Sequence, residues 1–317
     1  ASDNAAASAV TEGSATDDAA AQAAAGAENE TPENALVGAS DAASYIFDVG
    51  EGNVTISMGR ASGYLTVTYG AAQTVTEQFQ NTQQITLTGG SSTAAVSNTV
   101  TVKSGVTANI TTDGLYIDVS ATAKACPFMI EAGATVNLTL KNENSFKSGG
   151  NAAALCVPGD GTNNAALNIT KESNGGSLTA AAGPSSSSSG GAGIGGGAAD
   201  VGGGVITISG GSITAQGASG SGAAGIGGGS GGSGGTVTVN GGNVTASGGS
   251  GGAGAGIGGG DGAEGGTIII SGGTVTATGG TAEADYAGSG IGIGYGGSAA
   301  YVTISGGTVT AKGGSDI

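Results

Sequence analysis

Two pairs of carboxylates stand close together in the glycine-rich half of the sequence: Asp261 with Glu264, and Glu283 with Asp285. Two carboxyl groups roughly 5 to 10 Å apart are what a glycosidase needs, one as acid and one as base or nucleophile. The same oxygens suit a hard cation such as Ca2+. A polysaccharide lyase adds a base, usually Arg or Lys, beside acids that hold Ca2+. Bases are scarce here. Arg60 is the one Arg, Lys312 is the one Lys after Lys171, and the 317 residues include no His. Without His, neither a Ser-His-Asp nor a Cys-His arrangement can form. The residues point away from catalysis, and acids in glycine-rich turns read most simply as solvated turn residues.

Aromatic rings are the usual partners of sugar faces. Aromatics are 3% of the chain and Trp is absent, yet Tyr286, Tyr295 and Tyr301 fall together beside Glu283 and Asp285. These five are the candidate ligand-binding residues, with a polysaccharide or a host surface glycan or protein as the expected partner. The net charge is −16. Nucleic acid is therefore not an expected partner, because phosphate contacts need clustered Lys and Arg. No apolar run approaches the roughly 20 residues of a membrane span, so membrane insertion is not expected.

The elements that must position these residues come from a repeat. Residues 1–42 are rich in Ala, acids, Ser and Thr and read as a disordered acidic spacer. Residues 43–125 alternate apolar and polar residues irregularly, as opening coils or a cap. From 126 to 317 three segments recur together. Ile194, Ile226, Ile257 and Ile291 mark the first; Ile206, Val237, Ile268 and Val302 the second; Ile213, Val244, Val275 and Val309 the third. In the second and third segments the first two steps are equal and the last is slightly longer. Three short strands per coil of about 31 residues, with glycine at the corners, describe an all-β fold: a right-handed parallel β-helix, or solenoid. Leu155 and Phe128 continue the first segment backwards. That register sets Cys126 opposite Ala153 rather than Cys156, and a disulfide between the two cysteines is not expected.

The string Gly190-Gly191-Ala192-Gly193-Ile194-Gly195-Gly196-Gly197, followed by Gly203-Gly204-Val205-Ile206-Thr207-Ile208-Ser209-Gly210-Gly211, resembles the glycine-rich repeats of β-helix surface proteins of Gram-positive bacteria. These are adhesin-like or carbohydrate-binding-domain-like. The resemblance covers residues 43–317 and implies an extracellular module, secreted or attached to the cell surface, that binds without catalysing. The opening Ala1-Ser2-Asp3-Asn4 suits a mature end left by cleavage of a leader. The stretch 258–264 also resembles the Gly- and Asp-rich turns of calcium-binding β-rolls, which makes Asp261 and Glu264 the candidate metal ligands and Ca2+ the one cofactor to consider. The acid does not recur in register, since Ser230 stands in the intervening coil.

Alternation in the third segment also puts a row of small polar side chains outward. Thr214, Thr245, Thr274, Thr276, Thr278, Thr308 and Thr310 form a flat threonine face, ended by Gln216 and Lys312. It resembles the faces of ice-binding proteins, whose hydroxyl spacing orders water in an ice-like lattice. The leading expectation is a glycan- or surface-binding module. A structural stalk and ice binding are the alternatives, and a polysaccharide lyase comes last.

Overall fold

The computed structural model describes residues 45–71, 75–185, 189–198, 201–282 and 286–315, with the backbone alone for 75–79. The expected spacer, residues 1–42, lies outside the described residues. The rest is a parallel β-solenoid of about seven turns, near 31 residues each. Among the described residues there is no α-helix, only the 3-10 turns Val49–Glu51 and Lys171–Ser173. Among the described residues no helix is long and apolar enough to cross a membrane.

Each repeated segment builds one face. The second segment stacks Leu167, Ile206, Val237, Ile268 and Val302 on one another across successive coils. The third stacks Leu178, Ile213, Val244, Val275 and Val309. The first is reduced to strands of two or three residues and stacks Phe128, Leu155, Ile194, Ile226, Ile257 and Ile291. From Ile206 onward these pairings follow the coil register read from the sequence, and a longer step from Leu167 to Ile206 precedes them.

Alternation turns one side chain in two into the axis, so the ladders form a continuous core. Ile194, Ile226, Ile257, Ile206, Val237 and Ile268 have no exposed surface. Each such side chain contributes about 1.5–3 kcal/mol on leaving water, but only because the coils on either side cover it. In the glycine-poorer coils the interior holds larger groups: Phe128 and Phe146 lie with ring centroids 5.8 Å apart. Towards the end of the chain Phe146 gives way to Ala180, Ala215, Ala246 and Ala277 in the same column.

Glycine is required where the first segment turns. Gly195, Gly227 and Gly258 take φ of 135°, 131° and 135°, in a region that side-chain-bearing residues avoid. A Cβ on Gly195 would fall on the carbonyl oxygen of Gly227, and one on Gly227 on that of Gly258. Conformation and coil-to-coil approach therefore demand glycine at once. This is why the repeat spells Ile-Gly at each of these corners.

The opening region combines two patterns. Tyr45–Asp48 already lies parallel on Gln84–Gly89, and Val54–Met58 on Val100–Val102. Val54–Met58 also pairs antiparallel with Tyr64–Tyr69, which pairs antiparallel with Val75–Gln80, so a hairpin continues that sheet past its parallel rungs. At the other end, Val302 and Ile304 are 43% and 53% exposed, because no further coil covers them among the described residues.

The cysteines correct an expectation. Phe128 does pair with Leu155, as the register requires, yet Cys126 and Cys156 are joined in a disulfide with Cα atoms 6.5 Å apart. Side-chain direction closes the three-residue offset. The sulfur of Cys126 leans forward to 3.1 Å from the Phe128 carbonyl oxygen, and that of Cys156 leans back to 3.4 Å from the oxygen of Ala153. The bond staples one coil to the next.

Candidate functional site

The step from Ile268 to Val302 is longer than the two before it. The extra length falls in the corner before the last coil, where Thr281 and Ala287 form an antiparallel bridge. Tyr286 follows from this corner. Its ring lies 4.3 Å, centroid to centroid, from that of Tyr295, with the planes inclined at 57°. Both residues are 45% exposed, so they offer an aromatic ledge to solvent. Glu283 and Asp285 lie outside the described residues.

A third side chain completes the corner. Ile257 pairs with Ile291, and four residues on, Asp261 and Tyr295 stand at equivalent places in successive coils. The Gly262 N–H donates to the Tyr295 carbonyl at 2.7 Å, and the Asp261 N–H donates to the Gly222 carbonyl at 2.7 Å. Partial burial holds the Asp261 carboxyl above its ordinary range, with the Gly262 N–H pulling the other way. The phenol of Tyr295 is likewise raised, first by lost hydration, then by Tyr286 and Asp261. Chemically, two ring faces beside a half-buried carboxylate can stack an apolar face and accept hydrogen bonds from its polar edge.

The structure separates other residues that the sequence grouped. Tyr301, 73% exposed, lies in the strand Ala300–Ile304 opposite Thr267, and among the described residues no ring contact joins it to the tyrosine pair. Glu264 is exposed, and among the described residues no three His, Cys, Asp or Glu side chains gather as a metal site. Asp261 thus stands with the tyrosines rather than in a carboxylate cluster. Sequence reading assigned it to a cation and the tyrosines to a glycan. The signal that joins them was available: the step from Asp261 to Tyr295 equals the step from Ile257 to Ile291, so the two occupy one position of consecutive coils.

The threonine face is built as alternation implied, and it is longer. Thr179, Thr214, Thr245, Thr276 and Thr310 form one unbroken outward column. Ser177, Ser212, Asn243, Thr274 and Thr308 flank it on one side; Ala181, Gln216, Ser247, Thr278 and Lys312 flank it on the other. Ser177 and Thr179 were missed as members, though Gly175-Gly176-Ser177-Leu178-Thr179 carries the motif. The neighbouring face is less regular. There Asn168 donates its amide to Asn137 at 3.0 Å and Asn137 to Asn109 at 2.9 Å, and Ile269 interrupts the threonines further along.

A family model described as Beta helix repeat matches residues 206–230, 268–295 and 302–315. No curated protein and no solved structure matches the chain significantly. The matched segments hold second- and third-segment strands together with the turns that join them. Three stretches of the sequence thus match β-helix repeats, and all three lie in the coils of the solenoid.

Proposed function

We propose that this β-helix is a non-catalytic binding module of the cell exterior, and that it takes a glycan at the corner formed by Tyr286, Tyr295 and Asp261. The observation that carries the reading is the exposed tyrosine pair set against a partly buried carboxylate. A sugar ring lays its C–H face on the tyrosines while Asp261 accepts from vicinal hydroxyls. Ca2+ is kept as a helper to be tested there, supplied with oxygens by Asp261 and the sugar itself.

Two features support binding over turnover. Among the described residues the corner brings one carboxylate, that of Asp261, to the rings, where a glycosidase needs two. The glycine-rich coils offer only Lys312 as a basic side chain, where a lyase needs an unprotonated base to draw a proton from carbon. The disulfide and the exterior location agree, since such bonds persist in oxidising surroundings.

A glycan array probed with the 317-residue chain, with and without Ca2+, tests the proposal. Retention of one glycan class that is lost in Tyr286→Ala and Tyr295→Ala is the expected result. Retention by neither wild type nor variants would leave a stalk as the better reading. Release of shortened or unsaturated sugars from a bound polysaccharide would overturn the non-catalytic half.

A further inference from the structure

The threonine face differs from the tyrosine corner in every property that selects a ligand. On a molecule of net charge −16, the outward side chains of the strands Ser177–Gly183, Ser212–Gln216, Asn243–Ser247 and Thr274–Thr278 include no ionisable group and no ring. Charges stand only at its two ends, Glu143 and Lys147 on the strand before and Lys312 on the last, and between them an ionic partner finds no opposite charge and a sugar no platform.

What the face does offer is a repeat in two directions. Along the axis the rows recur at about 4.8 Å, and along each strand the outward positions recur at about 6.6 Å. Register is unbroken from Ser177 to Thr308 in the flanking column and from Thr179 to Thr310 in the central one. Four of the strands start from the same turn: Gly211, Gly242, Gly273 and Gly307 have φ of 81°, 83°, 80° and 84°. Identical turns give identical starting points, so no strand slips against its neighbour. Behind the face, Leu178, Ile213, Val244 and Val275 are at most 1% exposed and hold the backbone in place. Thr itself is stiff at χ1, so along the central column from Thr179 to Thr310 hydroxyl and methyl positions repeat with the backbone.

A neutral lattice that repeats in two dimensions is best matched by a ligand that is itself a two-dimensional lattice. We infer that this face binds the surface of ice, its hydroxyls anchoring and its methyls ordering a sheet of water. The rigid face has already lost the freedom that binding would otherwise remove. The inference is independent of the tyrosine corner.

The test is thermal hysteresis together with partition of the 317-residue chain into growing ice. Wild type is expected to show both. Thr276→Tyr, in the middle of the lattice, is expected to abolish both at an unchanged Tm, because the side chain points outward. Thr245→Lys serves as a second variant should the first fail to fold, with the same expected loss. Tyr286→Ala combined with Tyr295→Ala is expected to keep full activity on ice, which separates failure of this inference from failure of the glycan reading. Absence of hysteresis and of ice partition in folded wild type overturns the inference. So does their survival in either folded lattice variant.

Discussion

Asp261 stacks on Tyr295 across one coil: the N–H of the residue after Asp261 donates to the Tyr295 carbonyl at 2.7 Å, and the negative charge of Asp261 helps to raise the Tyr295 phenol. In the coil before, the equivalent residue is Ser230, nearly buried at 4% exposure. A column that holds the buried Ser230 one coil earlier thus carries an acid and then an aromatic ring in the next two coils. The corner is made by substitution within the repeat, together with the short insertion that brings Tyr286 alongside.

The acid should weaken the fold slightly at neutral pH. Burial raises its folded carboxyl above the unfolded value, so its neutral form is the favoured one in the folded chain. Stability tied to it is full below the unfolded carboxylate range and is lost as pH rises through the raised folded value. Asp261→Asn is therefore expected to raise Tm by about 1–2 °C at neutral pH, a small effect because solvent screens a partly exposed group. The gain should vanish in acid. Calorimetry across pH measures it, and an equal gain at all pH values would contradict the cause given.

Glycine positions divide into two kinds. Gly227→Ala places a methyl on the Gly258 carbonyl at φ 131° and is expected to cost about 3 kcal/mol or more. Gly161→Ala meets nothing within 4 Å at φ 84°, and strain alone should cost about 1 kcal/mol. Urea unfolding of the two variants side by side checks the difference.

The disulfide closes a sequence separation of 30 residues. Loop-closure entropy predicts that Cys126→Ser with Cys156→Ser loses about 3–4 kcal/mol. Reduction of the wild type should give the same loss. A Tm that ignores reductant would show that the coils around Leu155 hold without the staple.

Burial along a single ladder should grade the cost of one substitution. Val237→Ala, at no exposure, is expected to cost about 2–3 kcal/mol, and Val302→Ala, at 43% exposure, under about 1 kcal/mol. Hydrogen exchange should follow the same order, with amides of Thr308–Lys312 exchanging before those of Asn243–Ser247. Uniform protection along the rod would contradict the nearest-neighbour account of its stability.

Much of this was written in the residues. Period and alternation placed Ile206, Val237 and Ile268 in one buried column, because a coil length repeated to the residue leaves the backbone no other register. The same reasoning put Thr214, Thr245 and Thr276 outward. What the repeat could not carry was side-chain direction off the strands. Cys126 and Cys156 meet because both lean along the chain at a corner, which alignment of Cα positions does not record. Tyr301 was grouped with Tyr286 and Tyr295 by nearness in sequence, whereas its strand carries it onto a different face. Asp261 was judged by its neighbours in the chain when its neighbour in the next coil mattered more.

Between Ile206 and Ile268 the register advances by two coils of identical length, with the same turns and the same pairings on either side. Excision or duplication of one such coil therefore rejoins surfaces that already fit. Rod length, and with it the area of the threonine face, becomes a quantity that gene rearrangement can adjust in whole steps of about 4.8 Å without redesigning a core. The tyrosine corner has no such freedom, because its extra residues occur once. Descendants of this sequence should vary in coil number while keeping a single copy of that corner.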